Sequence, residues 1–226
     1  MNFLGMDIGT SGCKAVVFNA DGRPLATARR AYALRLTGDG GAELDSEEVM
    51  DGCLAVIAEA AAQAGRGSVK AIGISSQGEA FTPTDRHGRP LARAMVSSDA
   101  RAARQAREWP REFGEDRLYQ ITGHTAHPMF TLFKLLWMKA HRPDVWQNAS
   151  QFLCFEDLLQ SRLGLDPAMG WPLAGRTMLF DVRRHEWSPE ILDRLGLRPE
   201  RLARPLPAGT IAGKVTADLG LAPVEA

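Results

Sequence analysis

The chain has 226 residues, 45% of them hydrophobic, enough to bury the core of one large or two small domains. Its 27 basic and 27 acidic residues cancel, so no net field gathers nucleic acid or an anionic membrane surface, and neither is expected as a partner. No apolar run approaches a membrane span; the three cysteines, Cys13, Cys53 and Cys154, contain no CxxC pair, which argues against a zinc knuckle or a disulfide framework and fits a reducing cytoplasm.

In chain order, residues 2–8 and 13–19 read as strands, and the turn NADG at 19–22 leads to a third strand at 24–34, with Gly22 able to take the positive φ of a tight turn. The three form an antiparallel meander. The segment DSEEVMDGCLAVIAEAAAQAG reads as a helix: Asp45 or Ser46 caps it, Glu48 completes a capping box with Asp45, and Gly65 ends it. Met50, Cys53, Ile57, Ala60 and Ala64 share one face at helical spacing. A buried-type strand follows at 69–75, and 79–84 with 91–96 flank a second turn, DRHG.

From about residue 99 the pattern is mainly helical, at 99–109, 114–120, 130–140, 151–163 and 188–196. Phe130, Phe133 and Trp137, and Phe152, Phe155 and Leu159, form helical stripes expected in the core. His124 and His127 lie close in sequence, but no third ligand type stands nearby at metal spacing.

The stretch DIGTSGCK at 7–14 carries the first chemical signal. Gly9 lets the backbone turn sharply and bring N–H groups to a ligand, Thr10 and Ser11 add hydroxyls, and Lys14 adds a positive charge on the next strand. Asp7, at the end of a strand and facing the same turn, suits a magnesium ion held through water. Taken alone, the eight residues also fit a turn that Asp7 caps and whose backbone groups Thr10 and Ser11 satisfy. A hairpin rather than a helix follows, so this is not a Walker-type loop.

With that context, DIGTSGCK resembles the first phosphate motif of the sugar-kinase, Hsp70 and actin superfamily. Four further segments narrow the resemblance to the FGGY family of carbohydrate kinases: IGISSQGEAFTPTDRHGRPL, AMVSSDAR, TGHTAHPMFTLFKLLWMKAHRPDVW and GRTMLFDVRRHEWSPEILDRLGL. The resemblance covers nearly the whole chain. It implies an α/β ribonuclease H-like domain, with a mixed five-stranded sheet flanked by helices and a helical extension. It implies ATP and Mg²⁺ as cofactors, with Asp7 as the metal-side catalytic residue and Gly9, Thr10, Ser11 and Lys14 on the phosphate. Gln77, Glu79, Asp99, Arg101 and Met129 are placed by it on the side of a sugar or polyol substrate. Without the resemblance, Asp99 followed by Arg101 and Arg104 reads as the capped start of an amphipathic helix.

The departures narrow the substrate. Gly78 stands where glycerol kinases carry an Arg, and Ser97 and Ser98 replace the tryptophan of the WxDxR-type segment, so glycerol is disfavoured. Xylulokinases usually carry Met-His where Gly78 and Glu79 stand here, so the expectation is a sugar or polyol rather than D-xylulose specifically. The family's general base, an Asp in a Gly-rich segment, has no match in the sequence and is expected beyond Ala226. Residues 1–226 are therefore expected to be the N-terminal, sugar-binding domain, cut before that segment, without its C-terminal partner domain, inactive alone and free to dimerise. Two other readings are a non-catalytic sugar-sensing module of the same fold and an actin-like assembly protein, the latter disfavoured by the sugar-loop and KLLW segments.

Overall fold

The computed structural model describes residues 1–65 and 67–216, and the backbone of 224–225. Three strands open it: β1 (Asn2–Ile8), β2 (Gly12–Asn19) and β3 (Pro24–Ala31), followed by short β4 (Arg35–Leu36) and β5 (Ala42–Leu44). Helix α1 (Ser46–Gln63) crosses to β6 (Val69–Ser76), and β7 (Thr82–Thr84) and β8 (Ala94–Met95) follow. A helical region then carries α2 (Ala103–Phe113), α3 (Glu115–Thr122), α4 (Thr131–His141) and α5 (Pro143–Asn148), then β9 (Gln151–Leu153) and α6 (Phe155–Arg162). The remainder comprises β10 (Ala168–Gly170), α7 (Trp171–Gly175), β11 (Phe180–Asp181), β12 (Glu186–Trp187), α8 (Pro189–Leu195), β13 (Arg204–Leu206), β14 (Lys214–Val215) and β15 (Val224–Glu225).

The main sheet has the order β14-β15-β6-β1-β2-β3. Strand β1 lies antiparallel to β2 and parallel to β6, so the sheet is mixed as expected, with six strands among the described residues where five were expected. The surplus comes from two-residue strands such as β14, too short to leave a periodic signal. The period of two is plain in β1: Leu4, Met6 and Ile8 are buried, whereas Phe3 and Asp7 are exposed. The buried row packs on α1, whose apolar stripe of Val49, Met50, Cys53, Val56, Ile57 and Ala60 is buried almost completely. Burying each large aliphatic side chain of that layer stabilises the fold by roughly 1.5–3 kcal/mol.

Asp45 caps α1, accepting from the N–H groups of Glu47 at 3.1 Å and Glu48 at 3.4 Å, and Gly65 follows the helix at φ +96°. Both tight turns carry glycine in the left-handed region, Gly22 at +78° and Gly88 at +72°. Several boundaries differ from the sequence expectation. Strand β3 stops at Ala31. The helix expected from residue 99 begins at Ala103, because Asp99 is engaged in a buried ion pair. The stretch 151–163 divides into a strand and a helix, with Asp157 accepting from the Cys154 N–H at 2.9 Å to start the helix. The two aromatic stripes are core: Phe130, Phe133, Phe152, Phe155 and Leu159 are buried, and Trp137 is partly so.

Candidate active site

The ends of β1 and β6 bring two loops together. The first is the turn Gly9–Gly12, closed by a hydrogen bond from Gly9 N–H to the Gly12 carbonyl at 2.9 Å. Thr10 and Ser11 are exposed at its tip, and among the described residues their N–H groups donate to no protein acceptor. Two free backbone donors beside two hydroxyls suit an anion with several oxygens. The turn is tight because Gly12 passes against β3: a Cβ there would lie 2.5 Å from the Arg30 carbonyl oxygen. Asp7 and Lys14 are direct cross-strand neighbours on the exposed face, and Ser75 flanks Asp7 from β6.

The second loop follows β6. Gln77 does not line the neighbouring cleft; its N–H donates to Ile8 at 2.7 Å and its side-chain amide to the Gly9 carbonyl at 2.8 Å. The residue expected on the substrate side thus fixes the phosphate-type turn in place. Tyr32 donates to the same Gly9 carbonyl at 2.7 Å.

Two residues on, Glu79 is buried and sits at φ +64°, a region L-residues seldom enter. Its carbonyl oxygen is held by two side chains from one face of α4, Thr131 Oγ1 and Lys134 Nζ, each at 2.9 Å. Lys134 is itself fully buried and donates also to the carbonyls of Met95 and Val96, both at 3.1 Å. Burial pulls its ammonium down from 10.5 to about 8, although nearby carboxylates and Cys154 oppose this. The Glu79 carboxylate pairs through its Oε1 with Nη2 of Arg176, the residue that ends α7. Glu79, Gly78, Ser76 and Arg176 line one cleft of about 470 Å³, with Met169 and Leu173 among its apolar walls. Nearby, His124 packs on Phe130 at 4.9 Å; burial and the Arg176 cation hold its imidazole below the usual histidine range, with Glu79 opposing.

Asp99 and Arg101 lie outside the lining of that cleft. The Asp99 carboxylate is completely buried and accepts from the Ala42 N–H at 3.0 Å, from Arg101 Nη2 at 2.6 Å and from Arg101 Nε at 3.1 Å. Arg101 also bonds Glu43 at 2.8 Å and stacks over Trp137 at 4.5 Å. In place of the expected substrate contact, the structure gives this pair a clamp between β5 and the segment after β8. Met129 is half-buried and packs against the core, likewise outside the cleft lining, with its N–H on the His127 ring at 3.2 Å. The general base was expected beyond Ala226; Ala226 itself lies outside the described residues, so the geometry around the cleft assigns no residue to that role.

Sequence reasoning missed Lys134 and Arg176. Lys134 had a signal: a lone charge within the apolar stripe of α4. Arg176 had none, since its place beside Glu79 depends on how α7 docks.

The arrangement offers a phosphate-sized turn and a polar cleft on neighbouring loops. The family model for the N-terminal domain of the FGGY family of carbohydrate kinases matches residues 2–222. An autoinducer-2 kinase of Klebsiella pneumoniae is 30% identical over 221 residues, which are 94% of this chain and 41% of that protein. A glycerol kinase of Methylibium petroleiphilum is 33% identical over 203 residues, 86% of this chain and 41% of that one. The crystal structure of a xylulose kinase from Rhodospirillum rubrum superposes on the whole chain with a TM-score of 0.92 at 23% identity, covering 48% of its own chain. That likeness shows the fold. The chain spans less than half the length of these relatives.

Proposed function

The chain belongs to the FGGY family of carbohydrate kinases, and from this premise we propose that it is the sugar-side domain of an enzyme that phosphorylates a hydroxyl of a sugar or polyol with ATP. The observation that carries the reading is the pairing of two loops fixed to each other by Gln77, one ending in the free N–H groups of Thr10 and Ser11, the other in the buried carboxylate of Glu79.

In this reading the N–H and hydroxyl groups of Thr10 and Ser11 take phosphate oxygens, and Lys14 adds a positive charge beside them. The donor set fits magnesium held mainly by water: Asp7 is an exposed carboxylate, and no group of three or more His, Cys, Asp or Glu able to hold a metal occurs among the described residues. ATP with Mg²⁺ supplies the transferable phosphoryl group and the neutralising charge. Glu79 accepts hydrogen bonds from substrate hydroxyls, orienting one of them towards the turn. No described residue is assigned as the base that takes the hydroxyl proton; in the proposal it lies beyond Ala226, in a further part of the kinase, with a second domain that closes on this one and excludes water. The chain alone then binds sugar weakly and turns over negligibly. Its three cysteines are free and buried, consistent with the proposed reducing, cytoplasmic setting.

The test is sugar-dependent ADP release by the full-length protein with D-xylulose, glycerol and D-gluconate, and with Asp7→Asn alongside. Exposed Asp7 carries little of the fold, so the variant should stay folded while turnover falls by about 100-fold or more. Wild-type protein releasing no ADP above background with any of a broad sugar and polyol panel would overturn the kinase reading.

A further inference from the structure

The mouth of the cleft holds a charged group that the phosphate-transfer reading does not use. The aliphatic stem of Arg176 runs beside Gly78: a Cβ built on that glycine would lie 3.6 Å from the arginine Cβ and 3.6 Å from its Nε. A methyl group fits there, but a longer side chain would take the space the stem occupies. The guanidinium then crosses to Glu79 and lies 5.3 Å from the centre of the Phe130 ring. Glu79 is buried, and its left-handed backbone is clamped at the carbonyl by α4, which fixes where its side chain enters the cleft. Arg176 is 40% exposed at the side chain, and it keeps N–H donors in excess of those Glu79 can engage. The result is a donor and an acceptor side by side at the wall of one cleft, the Arg176 guanidinium and the buried Glu79 carboxylate with which it pairs.

We propose that Arg176 is a substrate-contacting residue that reads a neutral vicinal diol together with Glu79. One hydroxyl oxygen accepts from the guanidinium while its neighbour donates to the carboxylate. This rests on the kinase reading of the same site and adds the chemical class of the ligand. A substrate carboxylate is the poorer match, because it would meet Arg176 only by also approaching the buried negative charge of Glu79. Gly78 is part of the device: its missing side chain leaves the stem its path.

The test is an NMR titration of the full-length protein with D-xylulose, glycerol, 1,3-propanediol and D-gluconate, with the Arg176 Nε–H signal assigned by its loss in Arg176→Lys. D-xylulose and glycerol should displace that signal, and 1,3-propanediol, which lacks adjacent hydroxyls, should not. Arg176→Lys retains the charge beside Glu79 but loses the planar fork, and should weaken D-xylulose binding about 10-fold. Gly78→Met, which alters neither charged residue, should weaken it similarly by displacing the stem. If D-xylulose perturbs other cleft signals with affinity unchanged in both variants, Arg176 only neutralises Glu79 and the proposal fails while the kinase reading stands. Stronger displacement by D-gluconate than by D-xylulose overturns the neutral-diol assignment. If none of the four ligands perturbs any cleft signal, the sugar-site reading fails, and the proposal with it.

Discussion

Lys134 Nζ lies 2.9 Å from the carbonyl oxygen of Glu79, at the centre of a fully buried contact that joins the site loop to helix α4 and to the end of β8. One ammonium serves three carbonyls, so the left-handed turn at Glu79 and the Met95–Val96 segment depend on the same side chain.

Lys134→Met should therefore destabilise the chain by about 2–4 kcal/mol near neutral pH, because it takes one donor from each of three buried carbonyls, of which Glu79 keeps Thr131 Oγ1 and Val96 keeps the Asp99 N–H. Urea unfolding measures this. A variant as stable as wild type would show that the carbonyls find other partners.

The same lysine gives a pH signature. Its folded pKa, about 8, lies below the 10.5 of an unperturbed lysine, so between those values the unfolded chain binds more protons than the folded one. Stability should then rise as pH increases from about 8 towards 9.5, and Lys134→Met should lack that rise. Comparing the two urea midpoints at pH 7.5 and 9.5 isolates this contribution from other titrating groups. Parallel behaviour of the two proteins would assign the slope elsewhere.

Asp99→Ala should cost about 3–5 kcal/mol, since it leaves the Arg101 guanidinium, only 10% exposed, with Glu43 as its remaining carboxylate and orphans the Ala42 N–H. Thermal unfolding reads the loss. A shift in melting temperature within error of zero would remove the clamp from the account.

Asp157 behaves in the opposite way. Burial holds its carboxyl well above the usual range, and its Oδ1 has no hydrogen-bond partner among the described residues, so the folded protein keeps it protonated where the unfolded chain does not. A group with a raised folded pKa contributes stability below its unfolded pKa near 3.8, and loses it as pH rises. Asp157→Asn keeps an acceptor for the Cys154 N–H and should be more stable than wild type at pH 7 by about 1 kcal/mol or more. The gain should shrink towards pH 4. A marked loss at pH 7 would show a charged, satisfied carboxylate instead.

Gly12→Ala should destabilise by about 1–3 kcal/mol, because the new methyl meets the Arg30 backbone oxygen at 2.5 Å and the edge strand must shift. Gly38→Ala, with nothing within 4 Å, is the matched control and should stay within about 0.5 kcal/mol of wild type. Equal effects in the two variants would mean that β3 yields at no cost.

The elements most legible in the sequence are those whose period is uninterrupted: the alternation of β1, the stripe of α1 and the glycine turns at Gly22 and Gly88. The turn at Gly9–Gly12 was legible from its composition, since glycine and hydroxyl residues after an apolar strand have few structural uses. The substrate side was harder. Glu79 is local, but its partner Arg176 comes from 97 positions further on, and no periodicity encodes that meeting. Asp99 and Arg101 misled because a carboxylate two residues before an arginine looks the same whether the pair faces a ligand or closes on itself; burial decides, and burial belongs to the tertiary structure.

The place of β1 between β2 and β6 also bears on how the chain folds. Its antiparallel partner arrives after a four-residue turn, so that hairpin closes with little loss of chain entropy. Its parallel partner is separated from it by β2, β3 and the whole of α1, so that pairing must wait for a much larger loop to close. The meander that carries Asp7, Thr10 and Ser11 is therefore assembled early and locally. The Gln77 bond to Gly9, which joins the two halves of the site, can form only when the slow, long-range step is complete.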